Sequence, residues 1–292
     1  MSATTSRLEC IMDNLLMIGF VTALFTHSFL RSALFAAVGA SVAGGIIGSY
    51  VVVKRIVFIS GSIAHSVLGG LGAALYIKQV YHVEWLEPVH GALVAAILSA
   101  WLIGTVRLYY RQREDTVIAA LWAFGMSIGV ILISLTPGYT NEISNYLFGN
   151  ILWASKSDIA MLLGLDGVVL VMTALFHRRF LAICFDEKQA ALQGLNVKLL
   201  YFLLLSLVAI TVVLMIQVVG AILIVAMLSL PAAIANTYTH RLSKMMGIAV
   251  ILGMIISFLG IGFSYSLNWP PGATLGLTAT TIYLINLLRK KG

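Results

Sequence analysis

Residues 49–76, SYVVVKRIVFISGSIAHSVLGGLGAALY, decide the fold. Two adjacent basic residues, Lys54 and Arg55, interrupt an apolar run, and ten residues beyond Arg55 a single histidine, His65, lies inside the next one. In a helix that rises 1.5 Å per residue this spacing puts the imidazole roughly 15 Å from the basic step, near the middle of a ~30 Å hydrocarbon layer. A basic step belongs at a membrane surface, and an ionisable side chain at mid-depth is a functional hypothesis by default.

Composition extends the reading to the whole chain. Hydrophobic residues make up 60% of the 292, only 10% are charged, and the mean hydropathy is +1.01. That excludes a soluble domain built around an ordinary core. The apolar stretches run for roughly 17 to 22 residues without the two-residue alternation of a barrel strand, which leaves helices as the means of satisfying the backbone in lipid. The expected fold is therefore all-α: one polytopic helical domain over residues 1–292, with about nine transmembrane helices and eight and ten as the limits. Twenty-six glycines suit close helix packing. The net charge of +7 resides in short connectors, so it signals positive-inside topology against membrane lipid and no nucleic-acid partner. Cys10 and Cys184 are far apart and read as free thiols. The polar start, with Glu9 and Asp13, lacks a small-residue cleavage site, so no removable signal peptide is expected.

Taken in order, residues 1–31 form an interfacial segment. Within it residues 11–29, broken by Asp13, Asn14, Thr22, Thr26 and His27, fit a helix lying at the interface better than a first span. His27 is then a headgroup-level residue. Firm spans follow at 32–53, 58–77, 91–110, 116–135 and 159–176. Between them, Lys78, His82, Glu84 and Glu87 make an outer connector, read as solvated loop chemistry in preference to a surface metal site, while Arg107, Arg111 and Arg113 mark a cytoplasmic turn. Residues 136–158 read as a structured external connector with a short helix, in which Glu142 and Asn145 either line the mouth of a path or lie on the surface.

Residues 177–198 change character. Arg178 and Arg179 open the segment, Asp186, Glu187 and Lys188 occupy its middle, and Phe185–Leu195 has the pattern of a short amphipathic helix ended by Gly194. It is too polar to insert, and it reads either as a solvated connector or as a docking helix for a cytoplasmic partner. Residues 199–238 are almost uncharged and twice as long as one span requires. One crossing would put His240, Arg241, Lys244 and the terminal Arg289, Lys290 and Lys291 outside; two crossings, turning near Gln217–Gly220, put them all inside. Two short helices are expected, with Pro231 and its alanine neighbours loosening the second and Gln217 satisfying backbone groups at the turn. Spans at 246–263 and 274–288 close the chain, separated by the rigid SYSLNWPPGAT turn.

No GxxxxGK[ST] loop, HExxH or exposed Ser/His/Asp set occurs, so neither an enzyme nor a permanently bound cofactor is expected. Few carboxylates lie within the spans, which disfavours a proton-driven carrier. A docking helix without a nucleotide site suggests a membrane subunit powered by a separate ATPase. His65 shares its helix with Gly61, Ser62, Gly69 and Gly72, a face smooth enough for close approach. It is either an interhelical hydrogen-bonding residue or a transient metal ligand in a path between subunits, imidazole being suited to zinc, iron, nickel and manganese.

The stretches GSYVVVKRIVFISGSIAHSVLGG, YLFGNILWAS, FDEKQAALQGLNV, QVVGAILIVAMLSLPAAIA and GIGFSYSLNWPPGAT occur in one order over almost the whole chain after Ser32. In this the sequence resembles the metal-type permeases of bacterial ATP-binding-cassette importers, which serve zinc, manganese or iron. The resemblance implies a permease in the bacterial plasma (inner) membrane, paired with a second permease chain, identical or different. It also implies cytoplasmic ABC ATPase subunits beneath, an extracellular or periplasmic metal-binding protein above, a divalent transition metal as substrate, and ATP used only by the partner. Better-known members carry an Asp/His pair in the path; the histidine maps onto His65, and Gly61 stands at the aspartate position. The coupling segment maps onto Phe185 to Val197, with Phe185, Asp186, Glu187, Gln189, Ala190, Gly194 and Leu195. The alternatives are a permease of the same architecture for a metal chelate or organic cofactor, and a non-transporting membrane scaffold.

Overall fold

The computed structural model describes residues 19–20, 22–110, 114–136 and 156–289. Ten helices follow in order: α1 (Ser28–Lys54), α2 (Val57–Tyr81), α3 (Pro88–Tyr109), α4 (Glu114–Ser134), α5 (Lys156–Phe185), α6 (Glu187–Leu192), α7 (Val197–Val219), α8 (Ala221–Tyr238), α9 (Leu242–Leu267) and α10 (Pro271–Arg289). No strand occurs among the described residues. Eight of the helices are long and apolar enough to cross a membrane, namely all but α6 and α8, and the apolar part of α8, Leu223–Tyr238, is shorter. The all-helical membrane fold expected from composition is thus the observed one.

α1 is the central helix. It packs against α5, α7, α8 and α9, and buries Leu30, Ile47, Tyr50 and Val51 completely. It stops where Arg55 takes a left-handed conformation, φ 60° and ψ 36°, directly after the basic step. α2 then rises between α3 and α4. Inter-helix neighbours give each helix its direction. Gly39 of α1 lies against Leu162 and Asp166 of α5, and Tyr50 of α1 lies against His177 of α5, so these two run parallel. Ser41 meets Ser257 and Gly45 meets Val250, so α9 runs opposite to α1.

The long uncharged stretch forms a hairpin. α7 starts beside the basic step, where Tyr201 meets Arg107, and climbs until Met215 reaches Gly44 of α1. The chain turns at Gly220, whose φ of 87° and ψ of 158° favour glycine. α8 then descends, with the Met227 carbonyl at Gly44 and Leu228 at Gly48, and delivers Asn236 and Thr239 to a cavity shared with Arg55. Two crossings therefore put both basic clusters on one side, as the positive-inside argument requires. Pro231 lies buried inside a continuous α8.

Three boundaries differ from the sequence expectation. α5 continues to Phe185 through Arg178 and Arg179, nine residues past the expected end at 176, because two exposed arginines at a membrane surface do not oblige a helix to stop. The short polar helix begins at Glu187, since Asp186 caps it by accepting from the Lys188 and Gln189 amides at 2.8 and 3.0 Å. Residues 22–26 are helical, and Phe20 is fully buried edge-on to Phe258 and beside Tyr265 of α9; residues 11–18 lie outside the described residues.

Close crossings rest on glycine. A Cβ on Gly48 would overlap the Leu228 carbonyl of α8, whereas a Cβ on Gly247 of α9 would meet nothing within 4 Å. Gly48→Ala is expected to destabilise the detergent-purified protein by about 1–3 kcal/mol, as overpacking does. Gly247→Ala should be close to neutral, and thermal unfolding followed by size-exclusion monodispersity compares the two.

Candidate functional site

His65 is placed by the glycines of its own helix. Gly69 and Gly72 of α2 approach Gly125 and Gly129 of α4 so closely that added Cβ atoms would stand 3.0 and 2.8 Å from the facing carbonyl oxygens. Ser62 donates to the Ile118 carbonyl at 3.0 Å, and Ser66 reaches the Leu121 carbonyl at 3.4 Å. This contact brings Trp122 of α4 over His65 as a parallel stack, with ring centroids 4.1 Å apart and planes 17° apart. The imidazole is half-buried and has no hydrogen-bond partner among the described residues. Its neighbour is an aromatic face in place of the interhelical hydrogen bond that was one of the two sequence readings. Stacking covers one face of the ring and leaves its edge, where the single in-plane lone pair of a neutral imidazole lies, uncovered by the indole, as a metal ligand requires.

Gly61, one turn before His65, is buried beside the same indole. A Cβ there would lie 3.2 Å from Val225 of α8 and 3.8 Å from Trp122. Gly61 is thus bounded by an indole and a valine. Among the described residues no three His, Cys, Asp or Glu side chains gather in a metal-binding group. Trp122 is the neighbour that sequence reasoning missed; it lies on another helix, and no local pattern links it to His65.

Asp166 was also missed. It is the one acidic residue in the 159–176 apolar run, which is the signal that marks it. It is 4% exposed, its Oδ1 has no hydrogen-bond partner, and its Oδ2 faces Gly39 of α1. It lies between α1 and α5, whereas His65 lies between α2 and α4, so the structure does not bring the two together. Pro231 and Gln217 lie on α8 and α7, away from the imidazole in sequence; the Gln217 side chain lies outside the described residues.

The end of the bundle at the Lys54–Arg55 basic step carries a polar network. Lys54, whose side chain is only 7% exposed, pairs with Glu187 at 2.5 Å and also donates to the Ile183 carbonyl. Arg107 of α3 reaches the same Glu187 oxygen at 3.3 Å, donates to the Tyr201 hydroxyl of α7 at 2.8 Å and lies over the Tyr201 ring at 4.7 Å. One carboxylate thus joins α1 and α3 to α6, and Arg107 extends the link to α7 through Tyr201. Beside it Ala190 is buried, Gln189, Phe185 and Leu192 are exposed, and Gly194 turns the chain with φ 78° before Leu195 packs on the core. Phe185 at the end of α5 and Leu192 at the end of α6 are 65% and 88% exposed, an apolar surface that one chain leaves uncovered.

The other candidates resolve as local structure. Glu87 caps α3 in a reciprocal box with His90 and pairs with Lys78 at 3.3 Å; His82 is exposed and ends α2. His27 occupies the N-cap position of α1 without a side-chain capping hydrogen bond and its ring lies 5.5 Å from Phe29, while Cys184 is a buried free thiol. Cys10, Arg111, Arg113, Glu142, Asn145, Lys290 and Lys291 lie outside the described residues.

Comparison with known proteins agrees with the whole bundle. The chain is 47% identical over 267 residues to the "Probable metal transport system membrane protein" of Chlamydia pneumoniae, covering 91% of each chain. It is 35% identical to the manganese transport system membrane protein MntC of Listeria monocytogenes, covering 92% of this chain and 93% of that one. Among solved structures, PsaBC from Streptococcus pneumoniae in complex with Fab superposes with a TM-score of 0.82 at 29% identity, over 92% of this chain and 94% of that one. The ABC 3 transport family matches residues 26–290, and the chain belongs to that family.

Proposed function

We propose that this chain is the permease subunit of an ATP-binding-cassette importer in a bacterial inner membrane, and that it carries a divalent transition metal, manganese first among the candidates. The observation that carries the reading is the likeness of nearly the whole chain to metal transport system membrane proteins, MntC among them. In this reading His65, with its ring edge uncovered by the indole, is a transient ligand in a path completed by a second permease chain. A lone imidazole without a carboxylate binds a dication weakly, and weak binding suits a site that must release its ion. Manganese comes first because MntC of Listeria monocytogenes, 35% identical over nearly the whole chain, is a manganese transport system membrane protein.

Residues 177–198 are the coupling segment. A separate ATPase dimer docks on the exposed Phe185 and Leu192, and closure on ATP moves α6. Glu187 passes that movement to α1, α3 and α7 through Lys54, Arg107 and Tyr201. A metal-binding protein delivers the ion at the outer face. The test is uptake of radioactive manganese, zinc, iron and an iron chelate by proteoliposomes holding the permease, its ATPase and the binding protein. Manganese uptake that requires ATP is the expected result; uptake of the chelate alone, or of none of the four, overturns the reading.

A further inference from the structure

We infer that the cleft between α5 and α9 is a binding site for an anionic phospholipid of the cytoplasmic leaflet. α5 and α9 both pack along α1, and between them they leave a cavity of about 550 Å³. Its floor is Val42 and Ile46 of α1, and its walls include Leu170 and Ala174 of α5 and Gly247 and Ile251 of α9. The wall residues are exposed, and nothing stands within 4 Å of where a Cβ on Gly247 would be, so the cleft opens sideways toward the hydrocarbon layer. At its cytoplasmic end a hydrogen bond of 3.1 Å between His177 Nε2 and Ser243 Oγ joins the two walls.

Charge identifies the occupant. α5 descends toward the cytoplasm, so Arg178 comes one turn below Ala174; α9 ascends from it, so Lys244 comes just under one turn below Gly247. Both are exposed, and neither pairs with an acidic group among the described residues. An apolar cleft at acyl-chain depth ending in two unneutralised cations matches one acyl chain and its anionic headgroup, and basic pockets between spans on the cytoplasmic side bind such lipids. A zwitterionic headgroup would gain less from the same pair of charges.

Gly247→Trp tests the cleft, because the indole enters open space and is not forced against the bundle. Arg178→Gln with Lys244→Gln tests the headgroup contact. The purified permease is exchanged into nanodiscs of phosphatidylcholine with a graded fraction of phosphatidylglycerol, and bound lipid is counted by native mass spectrometry. The parent is expected to retain phosphatidylglycerol over phosphatidylcholine. The double glutamine variant should lose about fivefold of that preference per charge, or about thirtyfold in all, and Gly247→Trp should retain neither lipid at this site. Equal retention of both lipids by the parent, or unchanged phosphatidylglycerol retention in both variants, overturns the inference. So does a Gly247→Trp protein that keeps its lipid but no longer pairs with a second permease chain, since the cleft would then be a protein interface. None of these readouts uses transport, so they stand or fall apart from the importer reading.

Discussion

Glu187→Ala is expected to separate ATP hydrolysis from transport. The carboxylate is the common partner of Lys54 and Arg107, and its loss leaves Lys54, 7% exposed, with the Ile183 carbonyl as its one acceptor among the described residues. Breaking a fully buried pair costs about 3–5 kcal/mol. Glu187 itself is 37% exposed, so solvent screening brings the expected loss down to about 1–2 kcal/mol. That is a loosened joint in a protein that still folds. Reconstituted with its ATPase, the variant should hydrolyse ATP at near the parental rate while metal uptake falls about tenfold. Pairing Glu187→Leu with Lys54→Met removes the stranded charge and should recover stability without recovering uptake, because a neutral contact does not hold α6 to α3 through Arg107. If Glu187→Ala transports as well as the parent, α6 is not coupled through this carboxylate.

His65→Ala is expected to lower uptake at limiting metal by at least about tenfold, the scale on which losing even a supporting contact acts at metal sites. Assembly with the ATPase should be unchanged, because the lost contact is one ring stack worth about 0.5–1.5 kcal/mol. Trp122 sharpens the test. Trp122→Phe keeps an aromatic face over the imidazole and should retain most uptake, whereas Trp122→Ala frees the ring and should raise the metal concentration needed for half-maximal uptake more than it lowers the maximal rate. Parental uptake by His65→Ala at limiting metal would remove the ligand assignment.

Much of the architecture is legible without coordinates because a bilayer imposes one-dimensional rules. Hydrocarbon thickness sets the length of each apolar run, and the side of each basic cluster sets its direction, so the hairpin of α7 and α8 follows from charge parity before any contact is known. The FDEKQAALQGLNV motif likewise marks its own connector. Boundaries are less legible: α5 passes through Arg178 and Arg179 to Phe185 because long basic side chains at the interface reach water without ending the helix.

The sequence alone determines that this chain is a helical membrane bundle, that residues 199–238 form a hairpin of two helices, and that His65 stands out as an ionisable residue within an apolar run. Tertiary structure alone decides what that histidine touches and what the short helix α6 holds. Trp122 covers His65 because glycines on two helices allow a close crossing, and Asp166, which α1 meets with Gly39, has an Oδ1 without a hydrogen-bond partner among the described residues. Glu187 gathers Lys54 from 133 residues away and Arg107 from 80. Helical periodicity encodes neighbours three and four residues apart, and these partners meet only when separate helices pack.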